Sequence, residues 1–178
     1  MSIEIVYETH ALTEDNERGT ATGWLPGRLS AQGRANAAAM GRRRRDDGVA
    51  AVFCSDLRRA VETAQIAFGD TDIPILYDWR LRECDFGARN GSPSVELERD
   101  RLDHCERPYP GGESHSQAIR RVAGFLADLP TRWADMRVML IGHLATYRGL
   151  EHVVNGLSVR ELVAARFEWR PGWEYRLD

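Results

Sequence analysis

Residues 50–69 read Ala-Ala-Val-Phe-Cys-Ser-Asp-Leu-Arg-Arg-Ala-Val-Glu-Thr-Ala-Gln-Ile-Ala-Phe-Gly. The apolar run from Ala50 to Cys54 predicts a strand. After Ser55-Asp56, the residues Leu57, Ala60, Val61, Ala64, Ala67 and Phe68 recur at helical spacing, so a helix buries that stripe and stops at Gly69. Working outward, residues 3–7 (Ile-Glu-Ile-Val-Tyr) alternate and give a strand that ends just before His10. Ser30 caps an alanine-rich helix that runs to about Arg45 and stops in Asp46-Asp47-Gly48. Downstream, the pattern predicts a strand over 73–76, an irregular excursion over 84–113 and a helix over 114–129. A strand over 137–141, a helix from about Thr146 to Asn155 and a final strand pair near 162–169 and 173–177 complete it. Strands and helices that alternate in this way imply one domain over residues 1–178. Its fold class is α/β, a three-layer sandwich whose mostly parallel central sheet carries helices on both faces.

In such a sheet, ligands bind outside the carboxyl ends of the strands. His10 and His143 each follow a strand, and Ser55-Asp56 closes another. Arg59 lies in the first turn of a helix, where side chains lean back toward the N-terminus. Two imidazoles, a guanidinium and a helix N-terminus converging on one spot suit a dianionic phosphoryl group. Glu83 supplies a carboxylic acid for proton transfer.

Composition narrows the chemistry. The chain has 178 residues and no lysine, all 24 basic residues being arginine. Phosphate loops of the GxxxxGK type, Schiff-base enzymes, Ser-Lys hydrolases and protein kinases each need an amine and are therefore excluded. Cys54, Cys84 and Cys105 form no CxxC pair, and His104, His115 and His152 show no ligand spacing, so neither a metal nor a cofactor is expected. A net charge of −3 gives no reason to expect nucleic acid or a membrane as partner, and Arg42–Arg45 reads as a solvated helix end. The longest apolar runs, such as 138–141, are far short of the roughly 18 residues of a membrane helix. With acidic Glu4 near the N-terminus, the expected location is the cytoplasm.

Several motifs in chain order resemble those of the histidine phosphatase superfamily, the group that includes phosphoglycerate mutases. They are Thr9-His10-Ala11 with Asn16, Gly23-Trp24, Leu29-Ser30-Ala31-Gln32-Gly33, and Ser55-Asp56-Leu57-Arg58-Arg59-Ala60 with Thr63-Ala64. Leu81-Arg82-Glu83, Gly111-Gly112-Glu113-Ser114, and Ile141-Gly142-His143-Leu144 with Arg148 follow. The resemblance implies a phosphoglycerate mutase-like fold and a metal-independent phosphatase acting on a small phosphorylated substrate. In it, His10 attacks phosphorus to give a phosphohistidine, Glu83 exchanges the proton, and Arg59, His143 and Asn16 hold the phosphoryl oxygens. Thr9 stands where the family motif has arginine, Ala11 and Leu144 where it has glycine. These departures favour, as the alternative, a degenerate member that binds a phosphorylated ligand or partner with little turnover. Arg18 and Arg28, in the loop after His10, are candidates to replace the missing guanidinium. The oligomeric state stays open, with a homodimer among the options.

Overall fold

A computed structural model describes residues 2–178. Five strands, β1 (Ile3–Thr9), β2 (Ala51–Cys54), β3 (Ile75–Tyr77), β4 (Arg137–Gly142) and β5 (Trp173–Leu177), form one sheet in the order β3-β2-β4-β1-β5. The first four are parallel and β5 runs antiparallel to β1. The helices are α1 (Glu14–Arg18), α2 (Ala31–Arg44), α3 (Arg58–Phe68), α4 (Ser94–Asp100), α5 (His115–Asp128), α6 (Pro130–Trp133), α7 (Leu144–Asn155) and α8 (Val159–Ala164).

Strand alternation sends successive side chains to two separate cores. Ile3, Ile5 and Tyr7 of β1, with Val138 and Leu140 of β4, pack against Val122, Phe125 and Leu126 of α5 and Leu150 of α7. Val6, Met139 and Ile141 point the other way, onto Met40 of α2 and Ala60, Ala64, Ala67 and Phe68 of α3. The expected three-layer sandwich is therefore the observed one. The chain leaves β1 toward α2 on one face and leaves β4 toward α7 on the other. Because β1 and β4 are neighbours, a crevice opens between their carboxyl ends, as doubly wound sheets require.

Four expectations are corrected. The strand near 162–169 is absent: Ser158 caps α8 through the Glu161 N–H, and Glu161 returns the bond to the Ser158 N–H, so Leu162 and Val163 are buried from a helix. The helix over α7 starts at Leu144, directly after His143, because the His143 N–H is held by Thr146 Oγ1. β3 lies at Ile75–Tyr77, shifted toward the C-terminus, since its register against β2 pairs Val52 with Ile75. The excursion over 84–113 contains α4 and two 3₁₀ turns, Gly87–Arg89 and Arg101–His104. The three cysteines are buried free thiols. Among the described residues no helix is long and apolar enough to cross a membrane.

Gly33 fixes α2 beneath the loop after β1: a Cβ there would lie 1.8 Å from the Leu12 carbonyl oxygen. Gly33→Ala is expected to cost about 3 kcal/mol and lower Tm by about 10 °C. Gly124, exposed in α5 with nothing within 4 Å of its would-be Cβ, should gain roughly 0.5–1 kcal/mol on the same change. Thermal melts of the two variants check both signs.

Candidate active site

His10 follows β1 and His143 follows β4, and the His10 N–H donates to the Gly142 carbonyl at 2.9 Å. Their ring centroids are 5.0 Å apart. The His10 Nδ1–H donates to the Ala11 carbonyl at 2.8 Å, which leaves the Nε2 lone pair free. Burial, and next the Arg59 guanidinium, press the His10 imidazole down to about 3, so the ring is neutral near pH 7.

His143 is held from every side. Tyr7 donates its hydroxyl to the His143 carbonyl at 2.7 Å, and Thr146 Oγ1 accepts the His143 N–H while donating to the Leu81 carbonyl. Ser55 Oγ lies 2.6 Å from His143 Nε2 and itself receives the Leu57 N–H at 3.4 Å. Ser55 is buried and its hydroxyl has no other acceptor among the described residues, so it donates to Nε2, which places the ring proton on Nδ1. That nitrogen is buried and has no partner within the protein. Burial and Arg59 keep this ring neutral as well. The result is one imidazole with an accessible lone pair beside another with an unspent N–H.

Arg59 is buried in the first turn of α3, its guanidinium donating to the Gly23 carbonyl at 2.8 Å. It lines a cavity of about 480 Å³ together with His10, Asn16 and Glu83. The Glu83 carboxylate lies across the N-terminus of α7, accepting the Cys84 N–H at 2.8 Å and the Leu144 and Ala145 N–H groups at 3.2 Å each. Arg121 pins that segment by donating to the carbonyls of Arg80, Arg82 and Glu83 while pairing with Glu113. This contact gives the Gly111-Gly112-Glu113-Ser114 stretch its function in the fold. Asn16 Oδ1 is engaged with the Thr13 N–H and hydroxyl, so its NH₂ group is the part left for a ligand.

Thr9 occupies the other side of His10. Its Oγ1 accepts the Trp169 Nε1–H at 3.2 Å. Both line a second cavity of about 550 Å³, shared with His10, His143, Phe167 and Arg43. Arg18 and Arg28 are both exposed and pair with Glu14, and neither lines either of the two cavities at His10. They are therefore not replacements for a guanidinium at Thr9. Reading the sequence missed Ser55 as the partner of His143, and Thr63, whose Oγ1 accepts the Ala11 N–H. The register of Cys54 against Ile141 brings Ser55 level with the strand end before His143, but only once the strand order is known.

The chain is similar to known proteins in both sequence and fold. The sequence profile of the histidine phosphatase superfamily (branch 1) matches residues 9–168. A 2,3-bisphosphoglycerate-dependent phosphoglycerate mutase of Bifidobacterium longum is 35% identical, with 100% of this chain and 87% of that protein covered. One from Neisseria meningitidis is 26% identical over 99% of this chain and 95% of its own. Among solved structures, a mycobacterial glucosyl-3-phosphoglycerate phosphatase in complex with VO3 superposes with a TM-score of 0.80 at 26% identity, covering 90% of this chain and 86% of that one. Bacillus stearothermophilus YhfR gives 0.83 at 24% identity, with coverages of 95% and 88%. With a profile spanning most of its length and a phosphoglycerate mutase-like fold, the chain belongs to the histidine phosphatase superfamily.

Proposed function

We propose that the protein hydrolyses a small phosphomonoester through a phosphohistidine on His10. The observation that carries this reading is the His10 ring itself, neutral, fixed through Nδ1 and offering Nε2 beside the unpartnered Nδ1–H of His143 and the Arg59 guanidinium. In the first step, His10 Nε2 forms a bond to phosphorus as the ester P–O bond breaks, and protonated Glu83 gives its proton to the departing oxygen. In the second, Glu83 takes a proton from water, whose oxygen displaces His10 and releases inorganic phosphate. Arg59, the His143 Nδ1–H and the Asn16 amide hold the three equatorial oxygens, and no step requires a metal.

Hydrolysis is favoured over mutase chemistry by the short stretch between Glu83 and Gly111. The alignment with the Neisseria mutase extends over 216 positions against 178 residues here, so that relative carries segments this chain lacks. We assign the substrate to the cytoplasm and to small metabolites, since a net charge of −3 offers nucleic acid and membranes no attraction. One observation favours a second reading, binding without efficient turnover: the residue before His10 is Thr9, whose hydroxyl is engaged with Trp169.

Trapping decides between them. After mixing with 4-nitrophenyl [³²P]phosphate and quenching in alkali, an acid-labile, alkali-stable phosphoenzyme is expected. Ligand-induced thermal stabilisation without label or turnover would instead establish the binder. Glu83→Gln should cost about 10-fold with 4-nitrophenol as leaving group and about 10³-fold with an alkyl alcohol, because only the alkoxide needs the proton. Equal losses on the two substrates would remove Glu83 as general acid.

A further inference from the structure

Beyond Thr9, the second cavity at His10 reaches about 550 Å³ and is walled by α2 and by the segment that leads into β5. Ala39 and Met40 line it from α2, Phe167 and Trp169 from that segment, and Leu144 from the start of α7. Thr9, Ala11 and Leu144, the positions at which the chain departs from the family motif, all line this cavity, and Thr9 and Ala11 do not line the first one. Each departure changes the wall in the same sense. A hydroxyl stands for a guanidinium, and a methyl and an isobutyl group stand for hydrogen.

Charge in this cavity is already balanced. Glu8 is 3% exposed and its two oxygens are taken by Arg43 and Arg44, the second of which also pairs with Asp47. Away from the His10 end, an entering ion therefore finds no uncompensated partner and would lose its hydration for nothing. The walls favour a flat apolar group instead. The Trp169 indole N–H is spent on Thr9 Oγ1, which anchors one edge of the ring. Among the described residues no aromatic ring or guanidinium stacks on its faces, and the residue is 66% exposed. Phe167 packs on Tyr147 and Trp173 and lines both cavities. Aromatic surface left open over a cavity gains from a ring that covers it, and the buried Met40 thioether suits the opposite side of such a ring.

We propose that this cavity is a subsite for an uncharged aromatic group, and that the substrate is a phosphomonoester whose organic part carries a flat ring larger than phenyl, held between Trp169 and Met40 while the phosphoryl group sits at His10. Glu83 and His10 line this cavity as well as the first, so an ester oxygen beside Glu83 can carry its organic group in this direction. A volume of about 550 Å³ suits a group of that size. The inference rests on the phosphatase reading, which places the phosphoryl group, and it makes Thr9, Ala11 and Leu144 the wall of a specificity pocket.

The test measures binding, so it does not depend on turnover. Calorimetry with the whole chain compares 2-naphthylmethylphosphonate, cyclohexylmethylphosphonate and methylphosphonate. The naphthyl compound should bind about 10- to 100-fold more tightly than methylphosphonate, and several-fold more tightly than the cyclohexyl compound. Ala39→Leu fills the cavity from α2 with a residue that helices accept, and should bring the naphthyl-to-methyl ratio close to one. Trp169→Ala, which removes an exposed wall and is checked by its melting transition, should cut the ratio several-fold. Thr9→Arg should lower it too, since the new side chain takes the same space even as it strengthens the hold on the phosphoryl group. Equal binding of the naphthyl and methyl compounds, or a ratio that survives Ala39→Leu and Trp169→Ala, would overturn the subsite. A cyclohexyl compound bound as tightly as the naphthyl one would overturn its aromatic assignment. Turnover of phenyl phosphate without any naphthyl preference would leave the phosphatase reading standing and remove only this inference. Absence of both phosphonate binding and turnover would remove both.

Discussion

His10→Ala is expected to abolish turnover of 4-nitrophenyl phosphate, by about 10⁴-fold or more, and to eliminate the phosphoenzyme entirely. The fold should survive, because the His10 side chain bonds only to the carbonyl of its own neighbour, and its backbone N–H to Gly142 is kept by alanine. The same change should alter the response to acid in a direction fixed by linkage. His10 is neutral when folded down to about 3 and is protonated in the unfolded chain from near 6.5 downward. Between those values the unfolded state binds more protons, so stability rises with pH across the window and is lost as pH falls through it. Alanine has no proton to gain, and the variant should therefore lose less stability than wild type between pH 6.5 and 4. Rates within tenfold of wild type would remove His10 as nucleophile. An unchanged acid response would show that the buried neutral ring is not one of the groups that weaken the fold in acid.

What could be read from the sequence, and what could not, follows the range of the interactions involved. β1, β4 and the helix cap at Ser30 are legible because alternation and capping act within a few residues. α8 is a helix where a strand is expected, although its signal is equally local: Ser158 and Glu161 stand at capping-box spacing. The pairing of His10 with His143 was legible as two strand ends, whereas the partners that set their tautomers were not. Ser55 is 88 residues from His143, and Glu83 is 61 from the helix N-terminus it covers. Nor does a sequence reveal a missing partner. Arg121 and Arg148 look alike in one dimension, and only the fold shows that one is paired with Glu113 while the Nε of the other is buried without an acceptor.

Thr9→Arg is expected to raise kcat/KM on an aryl phosphate by about 10²-fold, the typical gain from one well-placed charge-stabilising donor. Thr9 ends β1 directly before the nucleophile, and its side chain holds only Trp169, which is 66% exposed and free to turn outward. The adjoining cavity of about 550 Å³ gives the longer side chain room. Without ligand, the new guanidinium would have Arg43 on the same cavity and buried Arg59 nearby, and like charges oppose it. Tm should therefore fall slightly in buffer and recover more than wild type on adding inorganic phosphate, because the anion relieves a repulsion present only in the variant. Glu8 does not absorb the added charge, since both its oxygens are already taken by Arg43 and Arg44. A folded variant that gains phosphate-dependent stability but no activity would show that the phosphoryl group binds without being transferred. The weight of the site would then lie on recognition, and Thr9 would be part of a binding surface rather than the limiting defect of an enzyme.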